Sequence, residues 1–241
     1  LPVTQKLWVS CVSIGVVLWL IAVILWLQGG MDETVLFHFN DARIAGDSIL
    51  VLASRWLTSN GMVVITVVYV LFLIATFIWP SLDAPAAINF YVICSMAISG
   101  IVGDLLKMVL ARPRPISSFP DGLFVLSQAE SYAIPSGHAT KAIALAIPFV
   151  LLTSNKLFIN KAIKVIVSVL AVGVVFSRVV LGAHYVSDVV AGMGMAILGF
   201  PFTMLFANMV LKQVEKKDML PKLRIVWGVL LVALTIIFMI I

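Results

Sequence analysis

Residues 7–31 read LWVSCVSIGVVLWLIAVILWLQGGM, 25 positions without an Asp, Glu, Lys or Arg. A hydrocarbon core about 30 Å thick is crossed by roughly 20 consecutive apolar residues in a helix, so this run by itself reads as a membrane span. The same absence of charge recurs over 56–82, 84–103, 189–211 and 225–241. Two shorter apolar runs, 142–155 and 165–177, are bounded by Lys141 and Arg178, and hydrophobicity continues through both intrusions. Seven hydrophobic helices follow, at about 7–27, 61–79, 86–110, 137–153, 161–182, 189–211 and 224–241. The last is charge-free to Ile241 and either spans with little tilt or lies against the bundle.

The composition of the whole chain agrees with that first run. Of 241 residues 62% are apolar and 11% charged, with a mean hydropathy of +1.16, whereas soluble domains carry roughly 25% charged residues. A soluble domain and a disordered chain are both excluded. The net charge of +5 is spread too thinly among Leu, Ile and Val to make a basic stripe, so the partner is the bilayer and not nucleic acid. No small-x-small site precedes Gly29 and Gly30, which makes the first helix an anchor and not a removed leader. Cys11 and Cys94 fall inside helices one and three and read as small apolar fillers, without a disulfide framework or metal cluster. With no internal repeat and no low-complexity linker, one all-α membrane domain is expected over 1–241.

Orientation follows from the basic residues. Seven spans put Lys6, Lys156, Lys161, Lys164, Lys212, Lys216, Lys217, Lys222 and Arg224 on one side, against Arg43, Arg55, Lys107, Arg112, Arg114, Lys141 and Arg178 on the other. The positive-inside rule makes the first side cytoplasmic. The loops 28–60 and 111–136 then face outward.

Three clusters of reactive side chains collect on that outer side. Lys107 lies in the last turn of helix three, and Arg114 follows within Arg112-Pro113-Arg114-Pro115. The prolines force extended geometry, so Arg114 sits on a stiff, non-helical strap that can fold back beside Lys107. Pro135-Ser136-Gly137-His138 opens helix four, where free N–H groups and the positive end of the helix dipole suit an anion such as phosphate. Taken alone, this tetrapeptide is equally a Ser N-cap with an interfacial histidine. Arg178 interrupts an apolar run, a costly placement that points to function. His184 and Asp188 are four apart, so the carboxylate can accept from one imidazole nitrogen and leave the other as a base or nucleophile. Three cations, two histidines and a carboxylate on one face supply what phosphoryl transfer demands.

In these residues the chain resembles the type 2 phosphatidic acid phosphatase superfamily, whose motifs are Lys-x6-Arg-Pro, Pro-Ser-Gly-His and Ser-Arg-x5-His-x3-Asp. They stand here as Lys107 to Arg114-Pro115, Pro135-Ser136-Gly137-His138, and Ser177-Arg178 to His184 to Asp188. The resemblance covers about 55–211 and implies an integral-membrane helical bundle with a six-helix catalytic core, leaving 212–241 as an extension with an extra hydrophobic helix. It further implies that His184 attacks phosphorus, that Asp188 orients it, and that His138 protonates the leaving oxygen and then activates water. Lys107, Arg114, Ser136, Gly137 and Arg178 would hold the phosphoryl oxygens, so no metal or other cofactor is required.

Around that core, Arg112 is left as a candidate substrate contact, and Asp104 is expected to pair with Lys107 inside the bundle. The 28–60 loop, with Val35, Leu36, Phe37 and Phe39 among Asp32, Glu33, Asp41 and Asp47, reads as one or two interfacial amphipathic helices. That loop either selects the lipid or merely seals the bundle. The implied enzyme is an inner-membrane lipid phosphatase with its site on the periplasmic side. Its candidate substrates are undecaprenyl pyrophosphate, phosphatidylglycerol phosphate, phosphatidic acid and lipid A phosphate. A lipid-to-lipid phosphotransferase would use the same residues. A proton-coupled transporter could use Arg178, His184 and Asp188 as a relay, but would not need the Pro135–His138 turn or the Arg-Pro strap. The soluble haloperoxidases that share the motifs do not fit this composition.

Overall fold

The structure, a computed structural model, describes residues 4–78, 88–119, 123–126, 131–153, 155–215, and 226–227, 229–230 and 232–233 of the last segment. Every regular element among these residues is helical. In chain order they are α1 (Gln5–Gln28), α2 (Gly30–His38), α3 (Asn40–Ala45), α4 (Ile49–Ile78), α5 (Ile88–Leu110), α6 (Pro115–Ser118), α7 (Gly137–Leu152), α8 (Phe158–Val180) and α9 (Val186–Glu215). Helices α1, α4, α5, α8 and α9 are long and apolar enough to cross a membrane, and α7 is a shorter apolar helix. The chain is a multi-pass all-α membrane protein.

Spans one, three, four, five and six of the charge pattern correspond to α1, α5, α7, α8 and α9. The second does not begin at about 61: α4 starts at Ile49. The charge criterion stopped at Arg55, which is exposed on α4. A helix can carry such a charge beyond the hydrocarbon, so the end of a charge-free run marks the bilayer and not the helix. The expected span at 224–241 lies mostly outside the described residues. Within it the Trp227 ring packs on Phe90 of α5, with centroids 5.0 Å apart.

Helix α9 packs against α1, α5 and α7, while α4 packs against α8 and α7. Small residues permit the closest crossing: a Cβ on Gly15 of α1 would lie 2.5 Å from the Leu198 Cβ of α9, and one on Gly194 would lie 2.9 Å from that of Leu18. Inside lipid, where no hydrophobic force separates helix from solvent, such close packing is what holds helices together. Between α4 and α7, Tyr69 and Phe72 meet Phe149 edge-on at 4.8 and 4.9 Å, and the Tyr69 hydroxyl donates to the Leu145 carbonyl at 2.7 Å. The outer faces, for example Val17, Leu20 and Ile24 of α1 and Val165, Val169 and Val172 of α8, are exposed apolar surface, as lipid contact requires.

Of the expected 28–60 loop, the first part forms two short helices, α2 and α3, and residues 49–60 instead belong to α4. What fastens the first part is Arg43, which the charge count treated only as an outer-side cation. Arg43 is fully buried. Its Nε donates to the Phe124 carbonyl at 2.7 Å, Nη2 to Leu36 at 2.8 Å, and Nη1 to Val180 at the end of α8 at 3.2 Å. A cation on the last carbonyls of a helix satisfies orphan acceptors and complements the dipole. Gly182, at φ +72°, has room for no side chain, because a Cβ there would meet Arg43 Nε at 3.1 Å.

Candidate active site

The C-terminal ends of α5 and α8 meet the N-terminal ends of α7 and α9 at one end of the bundle. Helix α5 stops at Ala111, whose φ of 45° turns the chain into the Arg112–Arg114 strap. That strap is extended at Arg114 and then makes the single helical turn α6, with Pro115 at its start. Backbone bonds stitch the ends together. Ala133 N–H donates to the Arg112 carbonyl at 2.9 Å and Ser136 N–H to that of Asp188 at 2.9 Å. The Arg178 carbonyl accepts from Ala183 N–H at 3.1 Å and His184 N–H at 3.3 Å. A Cβ on Gly192 would lie 2.8 Å from the Ser136 carbonyl oxygen, so α9 lies directly against the turn that opens α7.

His184 occupies the turn just before α9 and is 1% exposed. Its Nδ1 is 3.3 Å from Asp188 Oδ2, and its Nε2 is 3.3 Å from Arg114 Nη1. A guanidinium can only donate, so Nε2 is the unprotonated nitrogen and Nδ1–H donates to the carboxylate. Burial, and then the charges of Arg114, Arg178 and Lys107, hold His184 well below the ordinary imidazole range. Both effects favour the neutral ring, whose Nε2 faces a cation. In chemical terms such a nitrogen can act as a nucleophile or a base.

The cations converge on the same place. Arg114 is aligned by Ser131, its Nε donating to the Ser131 carbonyl at 2.6 Å and Nη2 to the hydroxyl at 2.9 Å, while Nη1 also reaches the Ala183 carbonyl at 3.2 Å. Lys107 Nζ lies 3.1 Å from where a Cβ on Gly137 would be, which accounts for glycine at the first position of α7. Arg178 is buried at the end of α8, and His138 sits among the charges of Arg178, Lys141 and Arg114 and beside His184. The Ser136 hydroxyl is buried and has no hydrogen-bond partner among the described residues. An unpartnered buried hydroxyl at a helix N-terminus ringed by cations is a ready donor for an anion. All eight residues singled out in the sequence, Lys107, Arg114, Ser136, Gly137, His138, Arg178, His184 and Asp188, are brought to this end of the bundle. Asp104 does pair with Lys107, at 3.2 Å, but its side chain is 67% exposed and not inside the bundle. One turn before Lys107, it projects away from the packed face.

Arg112 is a correction. It is not free for substrate: Nη1 donates to Asp188 Oδ1 at 2.7 Å and to the Ser187 hydroxyl at 2.5 Å, and Nη2 to Asp32 Oδ2 at 2.9 Å. Its guanidinium lies over the Tyr185 ring at 4.1 Å and the Trp26 ring at 5.4 Å. Asp32, on α2, also accepts from the Ser187 N–H at 2.9 Å and from its hydroxyl. Sequence reasoning had no means of pairing Asp32 with a residue 80 positions away; only its place among the apolar residues of an amphipathic stretch hinted at burial. Among the described residues no group of three or more His, Cys, Asp and Glu side chains is arranged to hold a metal ion.

Known proteins are similar to this chain in part. Over 110 residues the chain is 33% identical to a lipid A 1-phosphatase of Rhizobium etli, covering 44% of this chain and 44% of that protein. An undecaprenyl-diphosphatase of Sulfolobus acidocaldarius is 30% identical over 105 residues, 44% of this chain and 48% of that protein. The match thus spans less than half the length of these curated relatives. In three dimensions the chain resembles a transmembrane PAP2-type phosphatidylglycerolphosphate phosphatase from Bacillus subtilis, with a TM-score of 0.59 at 22% identity over 83% of this chain and 96% of that one. That likeness is one of fold. The PAP2 superfamily model matches residues 89–214, just over half of the chain and every motif residue from Lys107 to Asp188, and the chain belongs to that superfamily.

Proposed function

We propose that this protein is a membrane phosphatase that removes a phosphoryl group from a lipid phosphate or lipid diphosphate through a phosphohistidine intermediate. The observation that carries the reading is His184 held by Asp188 at Nδ1 and presenting Nε2 to Arg114. The Nε2 lone pair attacks phosphorus and the bond to the leaving lipid oxygen breaks, with His138, protonated once the phosphate anion offsets the surrounding cations, giving that oxygen its proton. The charged imidazole so formed is stabilised by Asp188. Water then attacks the phosphohistidine, His138 takes its proton, and inorganic phosphate departs as His184 returns to neutral. Arg114, Arg178, Lys107, the Ser136 hydroxyl and the N–H groups opening α7 stabilise the equatorial oxygens as their charge develops. Those cations do the electrostatic work that other phosphatases give to metal ions.

The site lies at the end of the bundle to which the outer loops belong. The basic residues of the opposite side support a site on the periplasmic face of the inner membrane, at headgroup depth. Undecaprenyl pyrophosphate, phosphatidylglycerol phosphate, phosphatidic acid and lipid A phosphate all put a phosphate there. The lipids acted on by the relatives fall in that set. A panel of these lipids, presented to the detergent-purified protein with release of inorganic phosphate as the readout, tests the proposal. Release from at least one lipid that disappears in His184→Ala supports hydrolysis. Transfer to a second lipid without release would make the protein a phosphotransferase, and no turnover of any lipid would refute the reading.

A further inference from the structure

Of the acidic side chains in the 28–48 segment, Asp32 alone is buried, at 1% exposure; Glu33, Asp41 and Asp47 are exposed. It lies outside residues 89–214, the stretch that matches the superfamily. Burying a carboxylate is costly unless its oxygens are fully bonded and its charge is met. Here both conditions hold, and the cation that meets the charge is shared with Asp188.

We infer that Asp32 and Arg112 are positioning residues for the proposed nucleophile, a charge bridge through which α2 sets the orientation of Asp188. The inference rests on the phosphohistidine reading above. Arg112 touches Asp188 at Oδ1, while Oδ2 takes His184 Nδ1 at 3.3 Å and the Tyr185 N–H at 2.9 Å. Any displacement of the guanidinium therefore rotates the carboxylate on which the imidazole hangs. Asp32 fixes that guanidinium at its other nitrogen, and it grips Ser187, the residue before Asp188, by both backbone N–H and hydroxyl. Tyr185 and Trp26, lying over the guanidinium, hold its plane. A clamp whose only purpose was to fasten α2 to the bundle could end on Ser187. This one continues to the carboxylate behind the nucleophile.

The bridge has one cation between two buried carboxylates, so its charges do not cancel. The surplus negative charge faces His184, where an imidazolium-like phosphohistidine forms during turnover. Loss of Asp32 leaves Arg112 with a single carboxylate and a free Nη2, and a bidentate bridge becomes a hinge. Such a change acts on the chemical step and leaves the phosphate-binding cations untouched.

The experiment uses the full chain in detergent, a lipid phosphate substrate and four proteins: parent, Asp32→Asn, Arg112→Lys and His184→Ala. Asp32→Asn keeps the size of the side chain, and Arg112→Lys keeps the charge but cannot span two carboxylates. Both should lower kcat roughly 10- to 100-fold, as expected when the partner that orients a ligating or reacting group is removed. KM should stay within about threefold, since binding of the phosphoryl oxygens is unaltered. A purely structural clamp would lower the melting temperature while folded protein kept its kcat. Either variant retaining kcat within about twofold of parent, or losing affinity in place of kcat, overturns the inference. If Asp32→Asn does not fold, Arg112→Lys decides alone. An active His184→Ala would refute the phosphohistidine reading itself; an inactive one beside a fully active Asp32→Asn would refute only the bridge.

Discussion

His184 Nδ1 lies 3.3 Å from Asp188 Oδ2, an oxygen that also accepts the Tyr185 N–H at 2.9 Å, while Arg112 holds the other oxygen at 2.7 Å. The carboxylate is thus oriented by two groups, the Tyr185 N–H and the Arg112 guanidinium, and the imidazole inherits that orientation. Asp188→Asn keeps the shape but cannot be relied on to accept from Nδ1–H, so the ring can turn or take the wrong tautomer. We expect kcat to fall by roughly 10³-fold or more with the fold intact, the scale seen when the orienting carboxylate of a catalytic triad is made an amide. Steady-state kinetics of the purified variant checks this.

Gly137 and Lys107 make a second prediction. A Cβ at 137 would come within 3.1 Å of Nζ, the far end of a flexible side chain, so Gly137→Ala should be accommodated by moving Lys107 and not by moving backbone. Stability should hold or rise slightly, because alanine is the better helix former by up to about 1 kcal/mol. Activity should fall by up to about 10-fold, because Nζ must shift from its place by only a fraction of the ~1 Å misplacement that costs about 100-fold. Melting temperature and kcat/KM measured side by side separate the two effects.

A third concerns pH. Burial and the neighbouring arginines push His184 well below its ordinary value near 6.5, so the folded state binds its proton less readily than the unfolded chain. The neutral ring therefore contributes stability that is complete above about pH 6.5 and is lost as pH falls below it. His184→Gln, which has no proton to gain, should lose less stability than parent between about pH 6.5 and pH 5. Thermal melts across that range give the comparison, and equal losses would place His184 at an ordinary value.

Arg43 tests the 28–48 segment. Arg43→Ala would strand the carbonyls of Leu36, Phe124 and Val180, at a cost of about 1–3 kcal/mol for each one that water cannot reach. A drop in melting temperature accompanied by faster proteolysis within 28–48 is expected. An unchanged melting curve would show that this segment is held by its apolar contacts alone.

Much of this architecture was legible in the sequence because hydrocarbon tolerates so few charges. The spans at α1, α5, α7, α8 and α9 follow the gaps between Asp, Glu, Lys and Arg. The start of α4 was missed because Arg55 stands on an exposed face beyond the apolar stretch, where charge does not end a helix. Local spacing also carried the pairing of His184 with Asp188, four residues apart, and the extended backbone of Arg114, which the prolines keep out of the helix. Arg112 was misread for the opposite reason. Its partners, Asp32 and Asp188, are 80 and 76 positions away, and no local periodicity records a tertiary bridge. Arg43 likewise showed only its charge, whereas its role is to bind backbone carbonyls of three separate segments.

The cation set predicts independence from metal. Turnover should survive chelation of divalent ions and be blocked by vanadate, whose five-coordinate adduct resembles the phosphoryl transition state. Loss of activity in chelator with recovery on adding back one divalent ion would contradict this.

The central claim is that His184 becomes phosphorylated during turnover. Rapid quenching of the protein with a labelled lipid phosphate should trap a phosphoenzyme that is labile to acid and stable to alkali, as a phosphorus–nitrogen bond is, with the label on the peptide containing His184. It should form and decay at rates consistent with kcat, accumulate in His138→Ala if hydrolysis of the intermediate needs that base, and be absent from His184→Ala. Phosphate released at the normal rate with no label on the protein, or with label on another residue, would contradict the account.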